Sequence, residues 1–458
     1  MGQGPAMKFQ VDRDILAEAV GWASRALPAR PVIPVLSGLL LEAADGLTLS
    51  CFDYEVSARV EVDATVAEPG TVLVPGRLLA EITRSLPSLP VEFADDPEGV
   101  SLTCGSASFT LVTLPVEEYP DLPELPQTAG TVDGGALAAA ISQVVPAASR
   151  DDTLPLLTGV NIEVDGDIMT LAATDRYRLA VRELPWSPAR PGRQGEFLVP
   201  ARTLADAART MTPGVPVTVR LRSDAAPGPV RVPTGGRPNG PGRGSPGTPG
   251  QPGQPAETSL RGADAMIGFE SGGRRLTTRL IAGEYIKYRS RFPADLACRA
   301  DMPAGPFTEA VRRVSLVAER GSAVRLSFGA GQVTIEAETQ GRARARETVR
   351  ADFEGPEPVI AFSPHFLLDG ITAAALTAAA PHAGDPEAGR AEAAPSRGAG
   401  SGDHGPLGPE AAVAPRPGAT IRLEFNSATK PAVIMGVHDD QGVRDFRYLV
   451  VPLRAGAR

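Results

Sequence analysis

Three stretches of the chain repeat one pattern, in which a short apolar strand ends at or beside a proline and a helix follows. They read VLVPGRLLAEI at 72–82, FLVPARTLADA at 197–207 and VIAFSPHFLLDGI at 359–371. Proline is tolerated in the first turn of a helix because the amide that it lacks has no helical partner there. Helical spacing predicts that six apolar side chains point to one core face. These are Leu79, Leu204 and Leu368, followed three residues later by Ile82, Ala207 and Ile371.

Each stretch belongs to a longer repeat, with a period of roughly 125 residues before insertions. A further amphipathic helix is predicted at the head of each copy, at 12–27, 133–148 and 304–319. Alternating strands are predicted after each helix, at 36–62, 157–184 and 323–349. In the first helix we expect one apolar side, formed by Ile15, Leu16, Ala19 and Trp22. The predicted fold class is α+β: three tandem copies of one domain, each with two helices packed on curved antiparallel sheets.

Two stretches rich in glycine and proline interrupt the repeat, at about 223–262 and about 380–418. They lack apolar periodicity and cannot bury enough surface to offset the entropy of ordering, so we expect disordered surface loops. A collagen-like or phosphate-binding role is the alternative for the first stretch, but it lacks the GxxxxGK[ST] spacing of a phosphate loop. The three predicted domains span 7–126, 131–298 and 299–458.

The bulk composition is that of a globular protein. A chain of 458 residues suggests about three domains, and no apolar run is long enough to span a bilayer. Cys51, Cys104 and Cys298 are odd in number and form no CxxC pair, which favours a reducing compartment and argues against structural zinc. We therefore expect a cytoplasmic protein with no membrane contact, no metal and no other cofactor.

The net charge of −9 does not exclude a nucleic-acid partner, because only the lining of the binding surface must be basic. Three like units suggest an arc, and arcs of repeated units commonly close into rings by symmetric association. Helices on the concave side would then meet a polyanion through its phosphates. The candidate DNA-facing residues are Arg30, Arg77, Arg84, Arg202, Arg209, Arg312 and Arg313. Matching positions in two repeats favour this role over that of ordinary solvated arginines, which stays the alternative.

The sequence contains no persuasive catalytic constellation. Its histidines show no HExxH or paired spacing, and no GxSxG elbow or supported Cys–His pair occurs. The adjacent carboxylates at 151–152 and 439–440 are typical of solvated turns. We therefore expect no enzymatic activity.

Outside the two inserts, the chain resembles the bacterial DNA sliding clamps, the β subunits of DNA polymerase III. A TDxxRLA-like segment combined with a near-terminal Pro-Leu-Arg is the most specific part of this resemblance. The segments that carry it are Met7–Phe9, Arg30–Leu36, Thr113–Pro115, Tyr119–Pro120, Ala173–Val181, Leu280–Ile281, Gly283–Tyr285, Tyr288–Arg289 and Tyr448–Arg454.

The resemblance implies a head-to-tail homodimer whose six like domains encircle double-stranded DNA. DNA polymerase and clamp-loader subunits would bind through short peptide motifs in an apolar cleft between the second and third domains. Carried over by position, the cleft would include Leu157, Thr174, Arg176, Tyr177, Arg178, Leu179, Phe366, Pro431, Val450, Val451, Pro452, Leu453 and Arg454. Apolar side chains around a few polar anchors suit a small recognised motif. For Leu157, Leu179 and Val450 a plain core role is the alternative.

Two departures from the family pattern bear on this expectation. The family usually ends with an aliphatic residue after the terminal arginine, whereas Ala455–Arg458 follows Arg454 here. The third-domain edge strand, acidic in the family, reads QGRARAR at 340–346, and its expected basic partner at 104–109 has no arginine. A divergent clamp-like protein would have this pattern, so a monomeric clamp-fold scaffold that presents the cleft without encircling DNA is the rival interpretation.

Deletion of residues 225–256 tests the interpretation of the first insert. A segment without apolar periodicity contributes little burial, so the shortened chain should keep the melting temperature of the full chain. Differential scanning calorimetry on both chains measures this. A sharp fall in the melting temperature would contradict the prediction.

Overall fold

The computed structural model describes residues 7–222, 265–319, 321–339, 342–356, 359–378, 419–437 and 445–453. The chain divides into two compact units. The first unit comprises Met1–Ala138, Asn161–Met169 and Pro185–Glu284, and the second comprises Ala139–Val160, Thr170–Leu184 and Tyr285–Arg458. Both predicted inserts, the start of the 340–346 segment and Arg454 lie outside the described residues.

The secondary structure repeats three times in one order. The first repeat contains β1 (Lys8–Val11), α1 (Arg13–Ala23), β2 (Gly38–Ala43), β3 (Leu47–Phe52), β4 (Val56–Val62), β5 (Thr65–Glu68), β6 (Gly70–Pro75), α2 (Gly76–Ser85), β7 (Val91–Asp96), β8 (Gly99–Cys104) and β9 (Ala107–Leu111). The second contains β10 (Gln127–Asp133), α3 (Gly134–Val144), β11 (Gly159–Asp165), β12 (Ile168–Thr174), β13 (Arg178–Pro185), β14 (Ser187–Pro188), β15 (Gln194–Pro200), α4 (Ala201–Ala208), β16 (Pro216–Arg222), β17 (Met266–Ser271) and β18 (Arg274–Arg279).

The third repeat contains β19 (Cys298–Pro303), α5 (Ala304–Ser315), β20 (Val324–Gly329), β21 (Gln332–Thr339), β22 (Ala343–Arg350), β23 (Asp352–Glu354), β24 (Val359–Phe362), α6 (Pro364–Ala378), β25 (Thr420–Phe425), β26 (Ala432–Val437) and β27 (Phe446–Val450). Among the described residues, each repeat has one strand before its first helix, five strands between its helices and three after the second helix. The predicted α+β fold of three like domains is confirmed.

Strand pairing joins neighbouring repeats. In the first unit, β18 of the second repeat pairs antiparallel with β4 of the first, with Leu276 opposite Ala58. In the second unit, β27 of the third repeat pairs antiparallel with β13 of the second, with Tyr448 opposite Ala180. Both junctions therefore use the fourth strand of one repeat and the ninth strand of the next.

The first helix of the chain is shorter than predicted. Asp12 caps it, because its carboxylate accepts hydrogen bonds from the amides of Asp14 (2.8 Å) and Ile15 (3.1 Å). The helix ends at Ala23 and one 3₁₀ turn follows. The assignment of Ile15 to the apolar side was wrong: Ile15 is 43% exposed, whereas Leu16, Ala19 and Trp22 are buried.

One of the six predicted core positions is also corrected. Leu79, Leu204, Ile82, Ala207 and Ile371 are buried, but Leu368 is only half-buried and its neighbour Leu367 is fully buried. The helix α6 includes its proline, whereas α2 and α4 begin one residue after theirs. A shift of one residue turns a helix face by about 100°, so the core position moves to the preceding residue.

All three cysteines are free and buried. Burial raises the pKa of the Cys51 thiol to about 12. The thiolate, the reactive form of cysteine, is therefore scarce at this position.

Two helix glycines provide a matched pair for testing the packing. A methyl group on Gly370 would lie 2.5 and 2.6 Å from ring carbons of Tyr448, whereas one on Gly305 would have nothing within 4 Å. We expect Gly370→Ala to lower the free energy of unfolding by about 1–3 kcal/mol, and Gly305→Ala to raise it by at most about 1 kcal/mol. Urea denaturation measures both changes, and equal effects would contradict the packing of α6 on β27.

Candidate functional site

A tight turn between β12 and β13 forms the centre of the predicted cleft, which lies wholly in the second unit. One carboxylate oxygen of Asp175 accepts hydrogen bonds from the amides of Tyr177 and Arg178, each at 3.0 Å. The hydroxyl of Thr174 donates to the carbonyl of Arg178 at 2.5 Å. Arg176 adopts a φ of 80°, which a side chain rarely does. The turn leaves Tyr177 56% exposed on the surface.

The guanidinium of Arg178 is the buried polar anchor of this site. It donates to Asp175 at 2.9 Å, to Asp369 and to the Tyr448 hydroxyl at 3.4 Å. Burial opposes its charge, yet Tyr448 and Asp369 outweigh that effect and raise the pKa of Arg178 above its ordinary value. The side chain therefore stays charged and fixed in orientation.

Aromatic rings cover the Arg178 anchor. The guanidinium lies 4.5 Å from the centre of the Phe366 ring. Tyr177 stacks on the same ring at 6.1 Å, and His365 tilts against it at 4.1 Å. Burial, followed by the charge of Arg178, lowers the pKa of His365 below its ordinary value. The imidazole is therefore neutral near pH 7, and the surface is aromatic with a single buried cation.

The last described residues run beside the turn. The amide of Val451 donates to the carbonyl of Tyr177 at 2.9 Å. The amide of Leu453 donates to the carbonyl of Ala361 at 2.8 Å. Val451 and Leu453 are partly exposed, whereas Pro452 is buried. Two backbone contacts thus place one exposed aliphatic strip against the aromatic surface.

The predicted cleft residues divide into surface and core. Leu157, Leu179 and Val450 are 8%, 3% and 0% exposed, so burial favours the core alternative for Val450 above all. Pro431 is partly buried. Within the part of the chain that the structure describes, no hydrogen bond or ring contact joins Leu157 or Pro431 to the Arg178 cluster.

The sequence analysis missed four members of the cluster: Asp175, Asp369, Tyr448 and His365. Asp175 stood inside the quoted Thr-Asp motif, and Asp369 follows Phe366 by three residues, which places both on one helix face. Tyr448 has no such local signal. Its place follows from the long-range pairing of β27 with β13.

Five of the seven predicted DNA-facing arginines belong to the first unit. A groove of about 660 Å³ is lined by Arg25, Arg77, Arg84, Arg209 and Arg274, with Glu18 and Glu81. Arg202 lines a neighbouring, smaller pocket. Arg30 is exposed on the loop after α1 and lines neither space. The groove therefore brings together three of the seven candidates, Arg77, Arg84 and Arg209, and adds Arg25 and Arg274.

Some arginines of the wider set have local partners. Arg77 donates to the carbonyls of Leu27 and Pro28 at 3.3 and 3.2 Å and so fixes that loop. In the second unit, Arg313 forms a two-pronged ion pair with Glu347, and Arg312 pairs with Glu309. These pairs make Arg312 and Arg313 poorer phosphate ligands than an unpaired arginine.

Within the described ranges, no group of three or more His, Cys, Asp or Glu side chains could hold a metal ion. Across the same ranges, no helix has the length and apolar content needed to cross a bilayer.

A lysine at position 178 tests the anchor. Lysine keeps the charge but cannot reach Asp175, Asp369 and Tyr448 together. We expect Arg178→Lys to lower the free energy of unfolding by about 1–3 kcal/mol, measured by urea denaturation. The control Arg176→Lys changes an exposed neighbour and should stay within about 0.5 kcal/mol of the parent chain. Equal effects of the two variants would exclude an anchoring role for Arg178.

Comparisons with known proteins agree with this architecture. Models of the N-terminal, central and C-terminal domains of the DNA polymerase III beta subunit match residues 7–123, 131–237 and 289–379. The β sliding clamp of Streptomyces coelicolor is 44% identical over 451 residues, covering 98% of this chain and 99% of that protein. A β sliding clamp homologue from Streptomyces muensis, GriR, is 42% identical and covers 80% of this chain and 88% of the homologue.

Solved structures show the same fold. The sliding clamp of Bacillus subtilis superimposes with a TM-score of 0.72 at 24% identity, covering 98% of this chain and 99% of that one. The C. crescentus clamp gives 0.73 at 23% identity, covering 99% and 100%. The chain therefore belongs to the DNA polymerase III β-subunit family, the sliding clamps, which are processivity subunits without catalytic function of their own.

Proposed function

We propose that two copies of this sliding clamp join head to tail around double-stranded DNA. DNA polymerase and clamp-loader subunits would then bind the cleft around Arg178 through short peptides. The domain boundaries at 126/131 and 298/299 and the cytoplasmic location remain part of this proposal. The single observation that carries it is a pair of unpaired strand edges.

The two edges are the equivalents of strands that pair elsewhere in the chain. The fourth strands β4 and β13 pair with the ninth strands β18 and β27. The remaining fourth strand, β22, ends the four-stranded sheet, and the remaining ninth strand, β9, ends a five-stranded sheet. An exposed edge is a template for pairing with another chain. Pairing β22 of one copy with β9 of the next would satisfy the backbone hydrogen-bonding groups of both edges. Because β22 belongs to the third repeat and β9 to the first, the contact would be head to tail.

Internal equivalence also predicts the register of this contact. After the ninth strand of each repeat, one backbone amide donates a hydrogen bond of 2.8 Å to a carbonyl of the strand before the second helix. The three donors are Leu114, Ile281 and Leu453. Five residues before these amides stand Phe109, Leu276 and Tyr448. The last two lie opposite Ala58 and Ala180, whose third counterpart is Ala345. Phe109 should therefore lie opposite Ala345 of the partner copy.

Charge plays a smaller part in this contact than in the family pattern. Arg344 and Arg346 lie 3.3 and 3.6 Å from Glu336 on the adjacent strand of the same chain. Their charge is therefore partly countered before any partner arrives, and β9 carries no charged residue. Leu316, 82% exposed at the end of α5, adds apolar surface beside β22. Backbone pairing and apolar contact would hold the ring closed.

Replacement of Phe109 tests the ring. An aspartate opposite Ala345 would bury an unpaired charge, so Phe109→Asp should convert a dimer at micromolar concentration into a monomer. Multi-angle light scattering measures the mass. The control Ile168→Asp alters an exposed apolar residue away from both edges and should remain dimeric. A parent chain that is itself monomeric would favour the scaffold alternative, which the similarity to a clamp homologue keeps open.

A second set of variants separates DNA contact from peptide binding. Replacing Arg84, Arg202 and Arg209 with glutamate should weaken loading on circular duplex of any sequence and reduce its salt dependence, because fewer counterions are released. Tyr177→Ala with Leu453→Ala should abolish polymerase stimulation and leave retention on circular DNA nearly unchanged. Leu179 is a poorer choice, since it is buried. Full stimulation by the Tyr177 and Leu453 variant would place the peptide site elsewhere.

A further inference from the structure

We propose that the first unit contains a second peptide-binding pocket, at the β4–β18 junction. It would take an apolar side chain that is followed or preceded by an acidic residue. The proposed cleft serves as a comparison for this inference. The pocket is formed by other residues and can be tested separately.

The backbone at the two junctions is the same. One carboxylate oxygen of Asp53 accepts from the amides of Glu55 (3.0 Å) and Val56 (2.7 Å), as Asp175 does in the cleft. Tyr54 has a φ of 72°, close to the 80° of its counterpart Arg176. In the described ranges these are the two non-glycine residues with positive φ. Such strained positions persist where the surrounding structure requires them, and they cluster at binding sites.

The side chains at this junction differ from those of the cleft. Val56 occupies the position of Arg178, and Leu276 occupies that of Tyr448. A pocket of about 180 Å³ lies there. Trp22, Leu27, Val56 and Leu276 supply its apolar lining. Where the cleft buries its own arginine, this junction leaves a space that an apolar side chain of a ligand can fill.

The charged residues at the rim of the pocket determine which residues of the peptide can flank its apolar side chain. Arg25 and Arg202 line the pocket and are exposed, and no ion pair is described for either within the structure's described ranges. The two carboxylates of the lining are engaged, since Asp53 closes the turn and Asp206 lies 3.9 Å from Arg209. The rim therefore favours an acidic ligand.

The apolar interior favours a peptide over a nucleic acid. A phosphate would be held by the two rim arginines but would make no apolar contact with the lining that Trp22 and Leu27 help to form. An acidic peptide with a leucine or phenylalanine satisfies both parts of the pocket. Arg25 would then meet DNA on one side and the peptide on the other, because it lines both the pocket and the arginine groove.

Trp22 provides a built-in reporter. The chain has two tryptophans, so Trp186→Phe leaves Trp22 as the single indole. The probe is a synthetic peptide with one leucine–phenylalanine pair flanked by aspartates, and its asparagine version is the control. We expect titration calorimetry to give two bound peptides per chain. Trp22 fluorescence should change with one of the two binding events and not with the other. The asparagine peptide should bind this pocket about tenfold more weakly.

Variants distinguish the two sites. Val56→Arg places the cleft's own residue in the pocket and should abolish the Trp22 response while one peptide still binds. Tyr177→Ala with Leu453→Ala should remove the other peptide and keep the Trp22 response. Arg25→Gln should reduce the preference of the pocket for the aspartate peptide over the asparagine peptide and should leave the pocket open. This variant tests the inference even if Val56→Arg fails to fold.

One peptide per chain with an unchanged Trp22 signal would overturn this inference and leave the cleft intact. If the parent chain itself binds one peptide, and that peptide and its Trp22 response are unchanged in the Tyr177 and Leu453 variant, the proposed cleft is overturned instead. A Trp22 response to a short DNA duplex but not to the peptide would assign the pocket to the DNA-facing surface and overturn its peptide role.

Discussion

Backbone hydrogen bonding between the fourth strand of one repeat and the ninth strand of the next is the interaction on which the rest of this structure depends. An unpaired strand edge exposes amides and carbonyls that must find partners in water or in another strand. Within the chain, β4 and β18 satisfy each other, as do β13 and β27. Among the described residues, the last fourth strand, β22, and the first ninth strand, β9, each have one neighbour in their sheets. Repetition of one domain therefore carries its own rule for association, independent of any charge pattern.

The same pairing builds the site. Because β27 lies beside β13, Tyr448 reaches the Arg178 guanidinium and Val451 reaches the turn that carries Tyr177. A buried arginine with several partners is weak evidence for stability, since its desolvation offsets much of the attraction. Its value here is orientation: the guanidinium fixes Phe366 on one side and the Asp175 turn on the other. The guanidinium thus links the aromatic surface to the turn that carries Tyr177.

The fold was predictable because its signals are local. A proline after an apolar strand, repeated at 72–82, 197–207 and 359–371, depends only on neighbouring residues and correctly indicated three α+β domains. The phase of α6 was not predictable, since Leu367 and Leu368 are equally apolar and only the start of the helix decides which is buried. The cleft was predicted from family resemblance, whereas the place of Tyr448 beside Arg178 depended on the pairing of β27 with β13 across more than 180 residues. The sequence also did not predict which of these side chains are exposed. Val450 and Leu453 are both aliphatic, but Val450 is buried and Leu453 is partly exposed.

Comparison of the two junctions separates what the fold imposes from what the side chains choose. Asp53 and Asp175 make the same hydrogen bonds, and both turns hold a positive φ at the next residue. Pairing of adjacent repeats thus requires this turn, whatever its ligand. The following strand position is free to vary, because one junction places valine there and the other arginine. Valine leaves an apolar hollow between exposed arginines, and arginine fills the hollow and supports aromatic rings above it. One backbone therefore carries two different surfaces, because Val56 and Leu276 stand at one junction where Arg178 and Tyr448 stand at the other.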